Sequence, residues 1–257
     1  MALEIITIPC LGDNYAYLIR DVKTGQVAVV DVPDAKPILG ALNDLNWPLN
    51  LILITHHHYD HIDGVAELRK ATGAAVYGAA ADARRLPKLD MALTEGDSFE
   101  LGTETCEVMD VSGHTVGHIA YLFRDAGAVF SADSLMALGC GRVFEGDFPM
   151  MWGSLQKFKA LPDDTLVYSG HEYTAANANF ALTIEPDNPD LLARIKDIEA
   201  KRAADIPTVP ASIALEKATN PFLRADLSKV KSLVGMQGAD DATVFGEIRN
   251  RKDNFKG

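Results

Sequence analysis

The sequence predicts an α+β fold, a β-rich mixed domain followed by a helical one, and three observations predict it. From Leu3 to His171, short β-branched or alternating runs are separated by turn residues. Beyond Tyr173, strand-like runs largely disappear and helical periodicity takes over. The seven histidines are not scattered but gather at the ends of predicted strands. The boundary falls near 173, giving domains over 1–173 and 174–257.

IITI and YAYLI form the first strands, parted by the turn cluster LGDN, and QVAVVDV forms the third. LNLILIT, Leu49–Thr55, is a continuous apolar run, as expected of a strand covered on both faces. Gly64–Ala71 places Val65, Leu68 and Ala71 or Thr72 on one helical face and stops at Gly73. Strands are predicted at Thr105–Val111, Ile119–Phe123, Ala128–Ala132 and Leu166–Ser169, with a helix after Gly153 through Leu155, Phe158 and Lys159. Ala175–Leu182 and Pro189–Ala203 are helical in period and propensity. Pro207 and Pro210 mark a loop, and NPFLR, Asn220–Arg224, marks another stop.

Composition narrows the function classes. Hydrophobic content of 47% with 23% charged residues is that of a globular chain and excludes disorder. A net charge of −12 argues against nucleic acid as a partner, because phosphate binding needs an excess of Lys and Arg. No apolar run approaches the ~20 residues of a membrane-spanning helix, and MALEIITIPCLGDNYAYLIR has no secretory pattern. Cys10, Cys106 and Cys140 are odd in number and far apart, so a reducing cytoplasm is expected. No obligatory protein partner is evident.

The chemistry centres on ITHHHYDHIDG, Ile54–Gly64, lying between a buried strand and a helix. His56 and His58 are two apart and share a side while the chain is extended; Asp60 and His61 follow as it turns into the helix. One short loop can thus feed two adjacent metals, His56 and His58 one, Asp60 and His61 the other. Imidazole and carboxylate donors suit zinc, iron or manganese rather than calcium or magnesium. Two donors per metal are too few, and His114 (SGHTVGH), Asp133 (SADSL) and His171 (YSGHEY), each after a predicted strand, complete the set. Asp133 can bridge two metals with its two oxygens, which a histidine cannot do. His57 alternates away and is assigned to solvent or to support of its neighbours. His118 is expected to hold the His114 loop by hydrogen bonding, and Asp63 to cap the helix that starts at Gly64.

This pattern resembles the metallo-β-lactamase fold superfamily and, within it, the glyoxalase II (hydroxyacylglutathione hydrolase) family. IPCLGDNYAYLI, THHHYDH, SGHTVGH, SADSLMALGCGRVFEG, YSGHEYT, NPFLR and RNRKDNFK carry the resemblance over nearly the whole chain. HxHxDH alone is common to the superfamily; GCGR…EG, GHEYT and the basic C-terminal stretch are more specific. The resemblance implies an αββα sandwich as catalytic domain, followed by a small helical domain that helps to bind glutathione. It implies two divalent metal ions, zinc before iron or manganese, one on His56, His58 and His114. The other falls on Asp60, His61 and His171, with Asp133 bridging and Asp60 also orienting the attacking hydroxide. Arg142, Phe144, Tyr173, Arg249 and Lys252 fall at substrate positions; Phe144 replaces a tyrosine of some members, and Asp147-Phe148 replaces Thr-Ala.

The implied reaction is hydrolysis of S-(2-hydroxyacyl)glutathione thioesters, chiefly S-D-lactoylglutathione, by a hydroxide shared between the metals. It is the second step of methylglyoxal detoxification. Thiolate leaves readily, so no strong general acid is demanded, and no serine lies in GxSxG. The alternatives are a lactonase or other thioesterase of the fold, a mononuclear-iron persulfide dioxygenase, a nuclease, or a metal-binding protein without catalysis. Arg249, Arg251, Lys252 and Lys256, opposed only by Asp253, make a basic C-terminal cluster in an acidic chain, which favours an anionic glutathione thioester.

Overall fold

The structure, a computed structural model, describes residues 2–256. The chain forms two compact units: one holds residues up to Asp110 and Thr115–Ser131, the other Val111–His114 and the chain from Ala132 on.

The first unit opens with β1 (Leu3–Cys10) and β2 (Asn14–Asp21), an antiparallel hairpin pairing Leu3 with Asp21 and Cys10 with Asn14. β3 (Val27–Val30) pairs antiparallel with β2. A parallel neighbour then requires a crossover, which α1 (Ala35–Leu45) supplies. The Asp34 carboxylate caps α1 by accepting from Lys36 N–H, Asn46 closes it at φ 52°, and Ala35, Ile38 and Leu42 form its buried stripe. The sequence pattern does not announce this helix, because Pro37 and Gly40 interrupt its apolar stripe. β4 (Leu51–Leu53) follows, shorter than the predicted Leu49–Thr55 run. Before it, the Asn50 side chain accepts from Val27 N–H; after it, Asp31 takes the Thr55 backbone N–H.

A single turn, α2 (Tyr59–Ile62), leads into α3 (Val65–Thr72), which ends at Gly73 with φ 75°. Asp63 does not cap α3, contrary to expectation. It closes α2 instead, its N–H donating to Tyr59 O, and Gly64 is the residue before α3. A side chain at Gly64 would put Cβ 2.6 Å from Ala35 N, so glycine is what lets α3 start against α1. β5 (Ala75–Ala79) and β6 (Met91–Leu93) complete a sheet ordered β1-β2-β3-β4-β5-β6, parallel from β3 on. Leu18, Val29, Ile52 and Val76 bury one sheet face against Ile38, Leu42, Val65 and Leu68 of the helices, each such side chain contributing about 1.5–3 kcal/mol.

β7 (Ser98–Leu101), β8 (Glu104–Asp110), β9 (Ile119–Phe123) and β10 (Ala128–Ala132) form an antiparallel meander. Tyr121 donates its hydroxyl to Ile54 O at 2.8 Å, and Phe99 and Phe130 pack edge-on or tilted against Tyr77 and Tyr17. Two sheets thus face one another.

In the second unit, β11 (Leu135–Met136) and β12 (Gly139–Cys140) make a minimal hairpin. α4 (Phe148–Lys159) begins earlier than the predicted start after Gly153, because Asp147 accepts from Met150 N–H and Pro149 suits a first turn. The Asp147-Phe148 departure from the family pattern is therefore a helix start. β13 (Leu166–Ser169) leads to α5 (Thr174–Ile184) and α6 (Pro189–Ala203), the latter spanning the predicted residues and capped by Asn188. Ala178 and Ala181 of α5 pack on Leu191 and Ile198 of α6 with Leu138. β14 (Ala211–Ser212) pairs with β13; α7 (Ile213–Thr219), α8 (Ser228–Leu233) and α9 (Asp241–Asp253) finish the unit. Phe245 of α9 lies against Phe148, Trp152 and Phe222. Among the described residues, no helix is long and apolar enough to cross a membrane.

Candidate metal centre and cationic group

In the first unit the loop after β4 delivers four donor side chains from six residues. Asp31 organises them from the end of β3, buried and at φ 56°. Its carboxylate accepts from Thr55 N–H (2.9 Å), the Thr55 hydroxyl (2.8 Å) and His61 Nδ1–H (2.8 Å). Carboxylate on Nδ1 sets the His61 tautomer and leaves Nε2 as the donor, 3.7 Å from Asp60 Oδ2. Because the Thr55 proton goes to Asp31, its oxygen accepts from His56 Nδ1 at 3.0 Å, which turns His56 Nε2 the other way. That nitrogen lies 3.1 Å from His58 Nδ1. Asn14 donates to both the backbone oxygen and Oδ2 of Asp60, each at 3.0 Å.

His57 points elsewhere, as its alternation predicts: Nδ1 lies 3.0 Å from Asp82 Oδ2, and Arg85 reaches both the ring and Asp82. A Cβ on Gly117 would sit 2.2 Å from the Asp82 carboxyl carbon, so the 115–118 turn can approach only as glycine. His118 is fully buried; its Nδ1 donates to Ile119 O, and the ring stacks on His56 at 4.6 Å and 12°. The ring thus supports His56 by stacking.

The second unit assembles three donors from three strand ends. His114 Nδ1 donates to Arg142 O at 2.7 Å, leaving Nε2 3.6 Å from Asp133 Oδ2. The same oxygen lies 3.3 Å from His171 Nε2. Ala132, at φ 40°, aims Asp133, and its carbonyl accepts from Gly170 N–H at 3.0 Å. Tyr173 stacks on His171 at 4.6 Å and 7°, and Phe144 tilts over His114 at 5.4 Å.

Two of the cationic residues, Arg249 and Arg142, share Asp253. Arg249 donates to its Oδ1 through Nε (3.1 Å) and Nη2 (2.8 Å), and Arg142 through Nε (3.2 Å). Arg249 is buried, and its Nη1 donates to Cys140 O at 2.9 Å. Lys252 donates to Ala176 O and lies over the Phe180 ring. Burial, then the neighbouring Arg249, pushes its pKa down, with Asp253 opposing. Arg251 leaves the expected cluster for Glu247 and Val234 O. Burial pushes the Cys140 thiol up to about 11, so it stays protonated. Asp31, Asn14, Asp82 and Asp253 were not singled out as site residues in the sequence, since only folding shows what each touches.

Residues 11–171 match the metallo-beta-lactamase superfamily, and residues 172–255 match the hydroxyacylglutathione hydrolase C-terminus. A protein of a Jannaschia species named hydroxyacylglutathione hydrolase is 63% identical over 252 residues, covering 98% of each chain. Another so named, from Cereibacter sphaeroides, is 60% identical and covers 99% of this chain and all of its own length.

The chain belongs to the hydroxyacylglutathione hydrolase family.

The fold is also that of solved relatives. ETHE1 from Myxococcus xanthus is similar at a TM-score of 0.66 and 25% identity, covering all of this chain and 92% of its own. BLEG-1 B3 metallo-beta-lactamase matches at 0.66 and 23% identity, covering 86% of this chain and 99% of its own. For a hydroxyacylglutathione hydrolase of this fold, the two donor groups fit divalent metal. Imidazole nitrogens 3.1 Å apart either share one proton or face one cation, and the donors are those zinc, iron and manganese take.

Proposed function

We propose that this family member hydrolyses S-(2-hydroxyacyl)glutathione thioesters, chiefly S-D-lactoylglutathione, to glutathione and a 2-hydroxy acid. The full-length match at 60–63% identity carries the reading. The donor groups and the Arg142–Arg249–Lys252 group support it.

His56, His58 and His114 would hold one divalent ion, and Asp60, His61 and His171 the other, with Asp133 shared; zinc is the first choice. Bound there, the ions supply acidified water at neutral pH and positive charge against a developing oxyanion. The chain's own residues prepare the rest. Asp31, Thr55 and the Arg142 carbonyl fix the imidazole tautomers before anything binds. Asp60, held by Asn14, orients the nucleophile. Arg142, Arg249 and Lys252 meet the carboxylates of glutathione, Tyr173 and Phe144 flank it, and residues 174–257 act as the substrate-binding domain following a catalytic domain over 1–173. A cytoplasmic setting is supported by three free, buried cysteines.

The test is thiol release from S-D-lactoylglutathione beside the same acyl group on coenzyme A, with bound metal counted per chain. Strong preference for the glutathione thioester and two metals are expected. Comparable turnover of both would sink the assignment, and one metal with oxygen consumption would point to the dioxygenase.

A further inference from the structure

The β11–β12 hairpin joins Asp133 to Arg142, and its own ladder is only two residue pairs long. Its backbone is held instead by side chains from the helical segments. Asn220 Nδ2 donates to Met136 O (3.2 Å) and Gly139 O (3.0 Å), and Asn177 Nδ2 to Ala137 O (3.1 Å). Glu216 Oε2 accepts from Leu138 N–H at 3.0 Å, where Leu138 is held at φ 56°. Glu216 is fully buried, with Arg194 as counter-charge, and Arg194 also donates to Thr219 Oγ1 at 2.6 Å. A buried ion pair is a poor source of stability compared with apolar packing, and its best-attested use is to specify one arrangement.

The hairpin's two ends are where an arrangement matters. One end leaves Asp133, with the Ser134 hydroxyl on Val111 O at 3.1 Å. The other reaches Gly141, where a Cβ would lie 2.2 Å from Asp133 O and 2.7 Å from His114 Nδ1, and then Arg142, whose carbonyl holds that nitrogen. With no slack at Gly141, a shift of the hairpin moves both donors.

We propose that Asn177, Glu216 and Asn220 are positioning residues that set Asp133 and His114 through this hairpin, and so set metal affinity. The inference rests on the metal-binding reading above. It is tested with zinc, by competition against a chelator of known affinity, on the full chain carrying Asn177→Ala or Asn220→Asp. Leu42→Ala, in the apolar contact of α1 with the first sheet and away from the hairpin, is the control for simple destabilisation. Melting of the metal-free proteins and the kcat and KM for the thioester are measured alongside.

Both asparagine variants are expected to hold zinc 10–100-fold more weakly, with kcat lowered and KM unchanged. Leu42→Ala should lose thermal stability yet hold zinc as the wild type does. Folded Asn177→Ala with wild-type zinc affinity overturns the inference, as does loss of zinc in proportion to melting temperature across all variants. If Asn220→Asp does not fold, Asn177→Ala decides, since it removes one hydrogen bond and no charge. A wild type without zinc overturns the proposed function and this inference together. Tight wild-type binding with unchanged variants overturns the inference alone.

Discussion

The two donor groups reach the same chemistry by opposite routes. His56, His58, Asp60 and His61 come from one stretch of six residues, and the side chains that orient them, Asp31, Thr55 and Asn14, are few and direct. His114, Asp133 and His171 come from three separate strand ends, oriented largely by backbone: the Arg142 carbonyl, the Gly170 N–H, and the close approach at Gly141. A contiguous group depends on local turn geometry. A dispersed group inherits its precision from everything that packs the segments between its members.

Replacing donors gives the largest expected effect. His56→Ala and His58→Ala should weaken the first metal, His171→Ala the second, and Asp133→Ala both. Each should lower kcat by orders of magnitude, because a lone ion lacks the shared nucleophile and oxyanion clamp. Metal per chain, measured with steady-state kinetics, checks this. A variant with one metal and full activity would remove the reason for comparing two groups at all.

Supporting histidines come next. His118→Ala removes the ring stacked on His56 and should weaken metal binding roughly 10–100-fold. His57→Ala should keep both metals and most activity, because that ring faces Asp82 and Arg85. Chelator competition on the pair would show the alternation argument wrong if His57→Ala lost a whole metal equivalent.

The cationic group separates binding from support. Lys252→Ala should raise KM about 10-fold, near 1.4 kcal/mol, with kcat spared, and the defect should shrink in high salt. Arg249→Ala should raise KM at least as much but also lower kcat, because Arg249 holds the Cys140 carbonyl of the β11–β12 hairpin. Equal kcat values in the two variants would confine Arg249 to substrate.

The smallest effect lies in the first unit, away from both donor groups. The Thr24 hydroxyl, with the amides of Thr103, Lys23 and Thr24, holds the Asp21 carboxyl down to about 2 against the cost of burial. A folded pKa below the ordinary ~3.9 gives stability above that value and loses it as pH falls toward about 2. Acid unfolding of Asp21→Asn should lack that part of the slope; an unchanged profile would show the clamp to be energetically idle.

The first donor group was legible because HxHxDH compresses its geometry into a loop between a strand and a helix. The strands at Ile119–Phe123 and Ala128–Ala132 were legible because Ile119, Tyr121, Phe123, Val129 and Phe130 give short runs dense in β-branched and aromatic residues. α1 was not, since Pro37 and Gly40 mask a stripe that only burial of Ile38 and Leu42 reveals. The start of α4 was missed because Asp147 acts as a cap only once Met150 N–H is turned toward it.

The family, the α+β order and the candidate donors were thus legible in the sequence alone, because ligand chemistry resides in residue type and local spacing. Which nitrogen of each histidine faces the site, what Asp63 caps, where Arg251 turns and how Asp253 gathers Arg142 with Arg249 were decided only by the tertiary structure. Several depend on distant hydrogen-bond partners, His61 on Asp31 and Arg142 on Asp253, for which linear spacing carries no signal, and the local ones depend on backbone turns that only the folded chain fixes.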